Sequence, residues 1–225
     1  MNDRSDFKWL SVITGLFVAV LLISNIASTK ILNFGPFTFD GGTLLFPLSY
    51  IFGDILTEVY GYNRSRKVIW TGFFSAVLMA ATLAIVVLLP AAEGWPWQEP
   101  FTALFGLVPR IVAGSLIAYF VGEFTNSFVL AKMKIWTKGK FLWSRTIGST
   151  LVGEGLDTII FVTIAFFGTM PMATLIAIII SNYVFKVGTE VIFTPVTYKT
   201  VSFLKRIEKE DYYDTNTNFN PLLIN

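Results

Sequence analysis

Apolar stretches of this chain, long enough to cross a bilayer, hold eight charged side chains: Asp54, Glu58, Arg110, Glu123, Glu154, Asp157, Lys186 and Glu190. A span takes about 20 mostly apolar residues at 1.5 Å of rise each. Six segments meet that length, at roughly 9–28, 43–61, 68–90, 103–131, 146–168 and 171–204. An ionised group in mid-bilayer costs several kcal/mol, so it persists where it faces a bundle interior, a partner charge or a polar ligand. The pattern predicts an all-α membrane protein of six transmembrane helices around a polar centre.

Composition narrows the chemistry. With 54% hydrophobic and 14% charged residues, the chain is too apolar for an ordinary soluble domain of 225 residues. The net charge of +2 is small and the basic residues sit in short segments between apolar runs, which argues against nucleic-acid binding. Without cysteine or histidine, disulfides, thiolate metal sites and histidine proton shuttles are excluded. The expectation is a non-enzyme with no catalytic residues, no metal and no cofactor. No phosphate-binding glycine-rich loop occurs, so P-loop ATP hydrolysis is not expected from this chain.

The first apolar run, Trp9 to Ser28, exceeds a signal-peptide core and is read as a retained helix. Lys and Arg cluster at 4–8, 64–67, 132–145 and 199–209, whereas the alternate connections hold only Lys30. The asymmetry places the basic segments and both termini in the cytoplasm. The tryptophans fall at span ends, where an indole N–H stays wet. Residues 30–42 read as a short outer lid or hairpin, Pro195 as a break or kink in the sixth span, and Pro109 as a marker for the start of the fourth. The six spans form one domain, 1–205, and the polar stretch 206–225 reads as a mobile cytoplasmic tail.

The intramembrane polar groups form stripes. Tyr50, Asp54 and Glu58 recur every four residues, as do Asn182, Lys186 and Glu190, while Glu154, Asp157 and Phe161 share a face. Glu154 and Asp54 lie about 12 and 16 Å into their spans, near the midplane. Arg110 falls in the outer half of the fourth span, and Glu58, Glu123 and Glu190 approach the inner face, within reach of water. Six acids against two bases leave four surplus negative charges in low dielectric. Protonation, hydration, a coupling proton or Na⁺, or a ligand rich in N–H donors would compensate them. Pairing that only fixes helix packing is the structural alternative.

Four blocks carry a family resemblance: SNIASTK (24–30), PLSYIFGDILTEVYGYNRSRK (47–67), RTIGSTLVGEGLDTIIF (145–161) and KVGTEVIFTPVTY (186–198). In order and across nearly the whole chain, they resemble the queuosine-precursor transporter family (Vut_1) of bacterial membrane proteins. The resemblance implies a compact bundle similar to the substrate-binding subunits of energy-coupling-factor vitamin transporters. It also implies import of 7-cyano-7-deazaguanine or a related 7-deazaguanine across the bacterial cytoplasmic (inner) membrane, for salvage into tRNA queuosine. Its motif positions here are Asn25, Tyr50, Asp54, Glu58, Arg145, Glu154, Asp157 and Lys186, with Glu154 standing where the family pattern favours Gln.

A deazaguanine offers adjacent N1–H and 2-amino donors that one carboxylate, Asp157 or Glu154, would accept, while Lys186 or Asn182 would donate to its 6-oxo group. Tyr50, Phe161 and Tyr183 are the aromatic candidates for stacking. Together with Asn25, Asp54, Glu58 and Arg110 these make up the expected binding set. Another nucleobase or a vitamin as cargo, or a membrane enzyme or assembly subunit, are the alternatives, and a separate energising partner is compatible with the same sequence.

Overall fold

The computed structural model describes residues 7–27, 29–34, 37–106, 109–168 and 171–223, with the side chains at 31, 33–40, 43, 46–47, 50, 109–112, 165–166 and 174 outside that description. The described residues form seven α-helices: α1 (Leu10–Ala27), α2 (Phe46–Tyr60), α3 (Tyr62–Leu88), α4 (Gln98–Phe105), α5 (Pro109–Trp136), α6 (Leu142–Phe166) and α7 (Met172–Glu208). All but α4 correspond, in order, to the six apolar segments of the sequence.

Between α1 and α2 the chain forms an antiparallel hairpin, β1 (Ile31–Phe34) and β2 (Phe37–Asp40), in register from Ile31 opposite Asp40 to Phe34 opposite Phe37. A single turn of 3₁₀ helix, Gly41–Leu44, then leads into α2. Gly41 permits this return, because a Cβ there would meet the Ala27 carbonyl oxygen at 2.5 Å.

α2 is the axis of the molecule and packs on α1, α3, α5 and α7. Its Ile55, Leu56, Val59 and Tyr60 are almost wholly enclosed and join Phe17 of α1 and Val201 of α7 in one core. The outer helices carry large apolar side chains outward, among them Leu78, Leu88, Val184 and Ile192. A soluble protein would bury such residues; lipid accepts them, while each helix satisfies its own backbone groups.

α1, α3, residues Leu142–Ile164 of α6 and Leu175–Glu208 of α7 are long and apolar enough to cross a membrane. The protein is therefore a multi-pass membrane protein. α2, at 15 residues, is shorter than the hydrocarbon layer, and α5 carries Glu123, Lys132 and Lys134; both lie against other helices, which relaxes the demand for apolar surface.

Pro109 opens α5, the start expected for the fourth span, a placement that suits proline because the first turn has no intrahelical N–H bonds to lose. Gly106 closes the separate α4 before it. The sixth span is continuous rather than broken. α7 runs 37 residues through Pro195, which removes one backbone bond within a helix long enough to absorb it.

α2 meets α3 at Gly61, whose φ of +84° belongs to the left-handed region. A side chain there would also strike the ring of Tyr212. The segment after Glu208, expected to be free, lies across this junction. Asp214 accepts the backbone N–H of Tyr62 at 3.0 Å on the first turn of α3, where a carboxylate also complements the helix dipole. Arg66 donates to the carbonyls of Asn218 and Asn220, and the Trp70 indole N–H to that of Pro221. Trp70 thus directs its polar edge to protein rather than to interfacial water.

Candidate functional site

The basic loops gather at one end of the bundle, and there Glu58 meets three cations. Arg145 of α6 donates through Nε and Nη2 to its two oxygens at 3.2 and 2.7 Å, and Lys205 of α7 reaches Oε1 at 2.6 Å. Lys134 of α5 stands 3.6 Å from the same oxygen while donating to the Glu58 carbonyl at 2.6 Å. Asp211 receives both Lys134 and Lys205, at 2.6 and 2.8 Å. Burial pushes Asp211 up, but the hydrogen bonds from Lys134 and Lys205 outweigh it and hold the carboxyl below its usual range. Glu58, expected near water, is fully enclosed and ties α2, α5, α6 and α7 together.

Deeper in the bundle, Lys186 of α7 lies between two carboxylates of α6, 2.7 Å from Glu154 Oε2 and 2.7 Å from Asp157 Oδ2. Glu154 is fully buried, while Lys186 and Asp157 keep part of their side-chain surface open, 16% and 21%. Glu154 Oε1 is buried without a hydrogen-bond partner. The site thus offers one ammonium group and a carboxylate pair with accepting capacity left over. Such a set can receive the donor edge of a planar heterocycle and donate to its carbonyl.

Glycines set the depth of this site. A Cβ on Gly122 of α5 would lie 2.9 Å from the Asp157 Cβ, and one on Gly153 of α6 would lie 3.0 Å from the Gly122 carbonyl oxygen. The α5 and α6 backbones therefore touch directly beside Asp157, as small residues allow between membrane helices. On the other side, the Tyr183 hydroxyl donates to the Leu151 carbonyl at 3.1 Å and its ring lies 3.5 Å from where a Cβ on Gly155 would be.

Of the expected binding residues, the structure brings together Glu154, Asp157 and Lys186, with Tyr183 adjoining along α6. Asn182 and Phe161 are half-buried on α7 and α6. Asn25 donates to the Leu21 carbonyl of its own helix at 2.9 Å. Glu58 belongs to the basic end: Lys205, its partner, stands 19 residues and so about 28 Å along α7 from Lys186. Asp54 faces α5, where Asn126 Nδ2 donates to its Oδ1 at 3.2 Å. The side chains of Tyr50 and Arg110 lie outside the described residues.

Sequence reasoning overlooked Asn126, Lys134, Lys205 and Asp211. Asn126 lies three residues beyond Glu123 on α5, a spacing that puts both on one helical face, and that was the available signal. Lys134, Lys205 and Asp211 read as loop charges, and nothing local marks them as partners of Glu58.

The pattern of the Vut_1 family, described as "Putative vitamin uptake transporter", matches residues 40–200. The chain belongs to that family. A Bacillus subtilis (strain 168) relative named "Probable queuosine precursor transporter" is 28% identical over 199 residues, 87% of each chain. An Escherichia coli (strain K12) relative named "Queuosine precursor transporter" is 25% identical over 189 residues, 82% of this chain and 81% of its own. One from Haemophilus influenzae, named like the first, is 28% identical over 129 residues, 56% of this chain and 51% of its own. No solved structure matches the chain.

Proposed function

We propose that the protein imports a queuosine precursor, 7-cyano-7-deazaguanine or a related 7-deazaguanine, across the bacterial cytoplasmic (inner) membrane for salvage into tRNA queuosine. The observation that carries the reading is Lys186 held between Glu154 and Asp157, with an orphaned Glu154 oxygen beside it. Asp157 or Glu154 accepts the N1–H and 2-amino pair, and Lys186 or Asn182 donates to the 6-oxo group. Tyr183 or Phe161 stacks on the flat bicycle, with Tyr50 the third aromatic candidate. The names of the relatives support the cargo class.

In this reading the chain forms one domain of six spans, α2 and α5 completing the set, arranged like the substrate-binding subunits of energy-coupling-factor transporters. The basic end and both termini face the cytoplasm. A proton or Na⁺ couples uptake, or a separate partner energises it. The test is equilibrium binding of 7-cyano-7-deazaguanine to detergent-solubilised protein, with guanine and a vitamin as controls. Saturable binding that is lost in Asp157→Ala is expected; folded protein that ignores the deazapurine and takes the vitamin or guanine moves the cargo to that class.

A further inference from the structure

Asp54, Glu123 and Glu190 come from three helices, α2, α5 and α7, and are 0%, 6% and 3% exposed. Among the described residues, no lysine or arginine lies within ion-pair distance of any of them. Arg110, on the same helix as Glu123, is 13 residues and so about 20 Å away along the axis. A polar neighbour is Asn126, 1% exposed, which gives its amide N–H to Asp54 Oδ1. Asp54 Oδ2, Glu123 Oε2, Glu190 Oε1 and Asn126 Oδ1 are all buried without a hydrogen-bond partner.

Every one of those orphaned atoms is an acceptor, so what the cluster lacks is a donor. Three uncompensated carboxylates in a membrane bundle would be far costlier than three carboxyls that take up hydrogen ions. Among the described residues no group of acids converges closely enough to hold a metal ion. Each hydrogen ion bound there supplies one positive charge and one O–H donor.

We propose that Asp54, Glu123 and Glu190, with Asn126, form a proton-binding site separate from the Glu154–Asp157–Lys186 site. Its role as the coupling site rests on the transport reading above. The other ionisable groups facing it are Glu58 from α2, Tyr119 from α5 and Glu154 and Asp157 from α6, while Lys186, one turn from Glu190 on α7, is engaged by Glu154 and Asp157. Glu190 and Lys186 are one helical turn apart on α7, about 6 Å along the axis, which links proton occupancy to the cargo site through a single rigid element. Gly53 leaves room for the Glu123 carboxylate against α2, since a Cβ there would stand 3.2 Å from Oε2.

The site is tested without cargo by infrared difference spectroscopy of the full chain in liposomes, stepped from acid to alkaline pH. A protonated-carboxyl band present at neutral pH and reduced in both Glu190→Gln and Glu123→Gln is expected. Absence of that band, its persistence unchanged in both variants, or its removal by Na⁺ at constant pH would overturn the proposal. Its coupling role is read in proteoliposomes, where an inward proton gradient should raise wild-type deazaguanine accumulation at least tenfold and leave Glu190→Gln unresponsive. Gradient-independent accumulation in the wild type would refute the coupling role and spare the cargo reading, whereas an intact band with a different cargo accumulating would refute the cargo reading alone.

Discussion

Arg145 and Glu58, 87 residues apart in sequence, form a two-pronged pair with contacts of 2.7 and 3.2 Å, both side chains essentially without solvent. Removing one partner of such a pair leaves the other buried and uncompensated, which costs about 3–5 kcal/mol. Arg145→Met should therefore lower the melting temperature in detergent sharply, and Glu58→Gln should do the same by freeing three cations. In a double-mutant cycle the combined variant should lose much less than the sum.

In the proposed transport reading Lys186, paired with both Glu154 and Asp157, also donates to the cargo, so its loss should lower uptake per molecule of folded protein. Lys186→Met is expected to reduce deazaguanine uptake by whole cells at least tenfold, with protein abundance checked by immunoblot. Uptake at wild-type rate would detach the triad from the transport path.

Gly153 fits because the α5 backbone is so near. Gly153→Leu places its side chain against Asn126 and the Gly122 carbonyl, an overpacking that costs about 1–3 kcal/mol. Detergent-solubilised variant should melt earlier than wild type and give a broader elution profile.

Asp211 makes the stability of the basic end pH-dependent. A carboxyl held lower in the folded than in the unfolded chain contributes stability above its ordinary pKa, and that contribution disappears as pH falls through the folded value. Because Asp211 is 46% exposed, solvent screening limits the effect to about 0.5 kcal/mol. Asp211→Asn should melt slightly earlier than wild type at pH 7, and the two curves should converge below the ordinary carboxyl pKa of 3.8.

The C-terminal segment holds the α2–α3 junction, so Asp214→Ala should lose about 1 kcal/mol of helix capping. A chain ending at residue 210 should lose more, because Arg66 and Trp70 then lack their carbonyl partners. Thermal unfolding of the two in parallel orders these losses.

The apolar periodicity of the sequence determined the helices, because lipid requires backbone groups to be satisfied within each segment and so leaves little freedom in secondary structure. The hairpin between α1 and α2 was readable from its Gly-Pro centre and alternating residues, and the four-residue spacing of Asp54 and Glu58, or of Lys186 and Glu190, revealed which groups share a face. Only tertiary structure decided which charges meet. Four-residue stripes are blind to rotation and depth between helices, so one stripe on α2 is divided between two environments, Glu58 saturated by cations from α5, α6 and α7 and Asp54 left with an amide. Likewise Lys186 and Glu190 share one stripe of α7, yet the first is paired with α6 and the second is not, because the direct α5–α6 backbone contact at Gly122 and Gly153 sets where the carboxylates of α6 can stand.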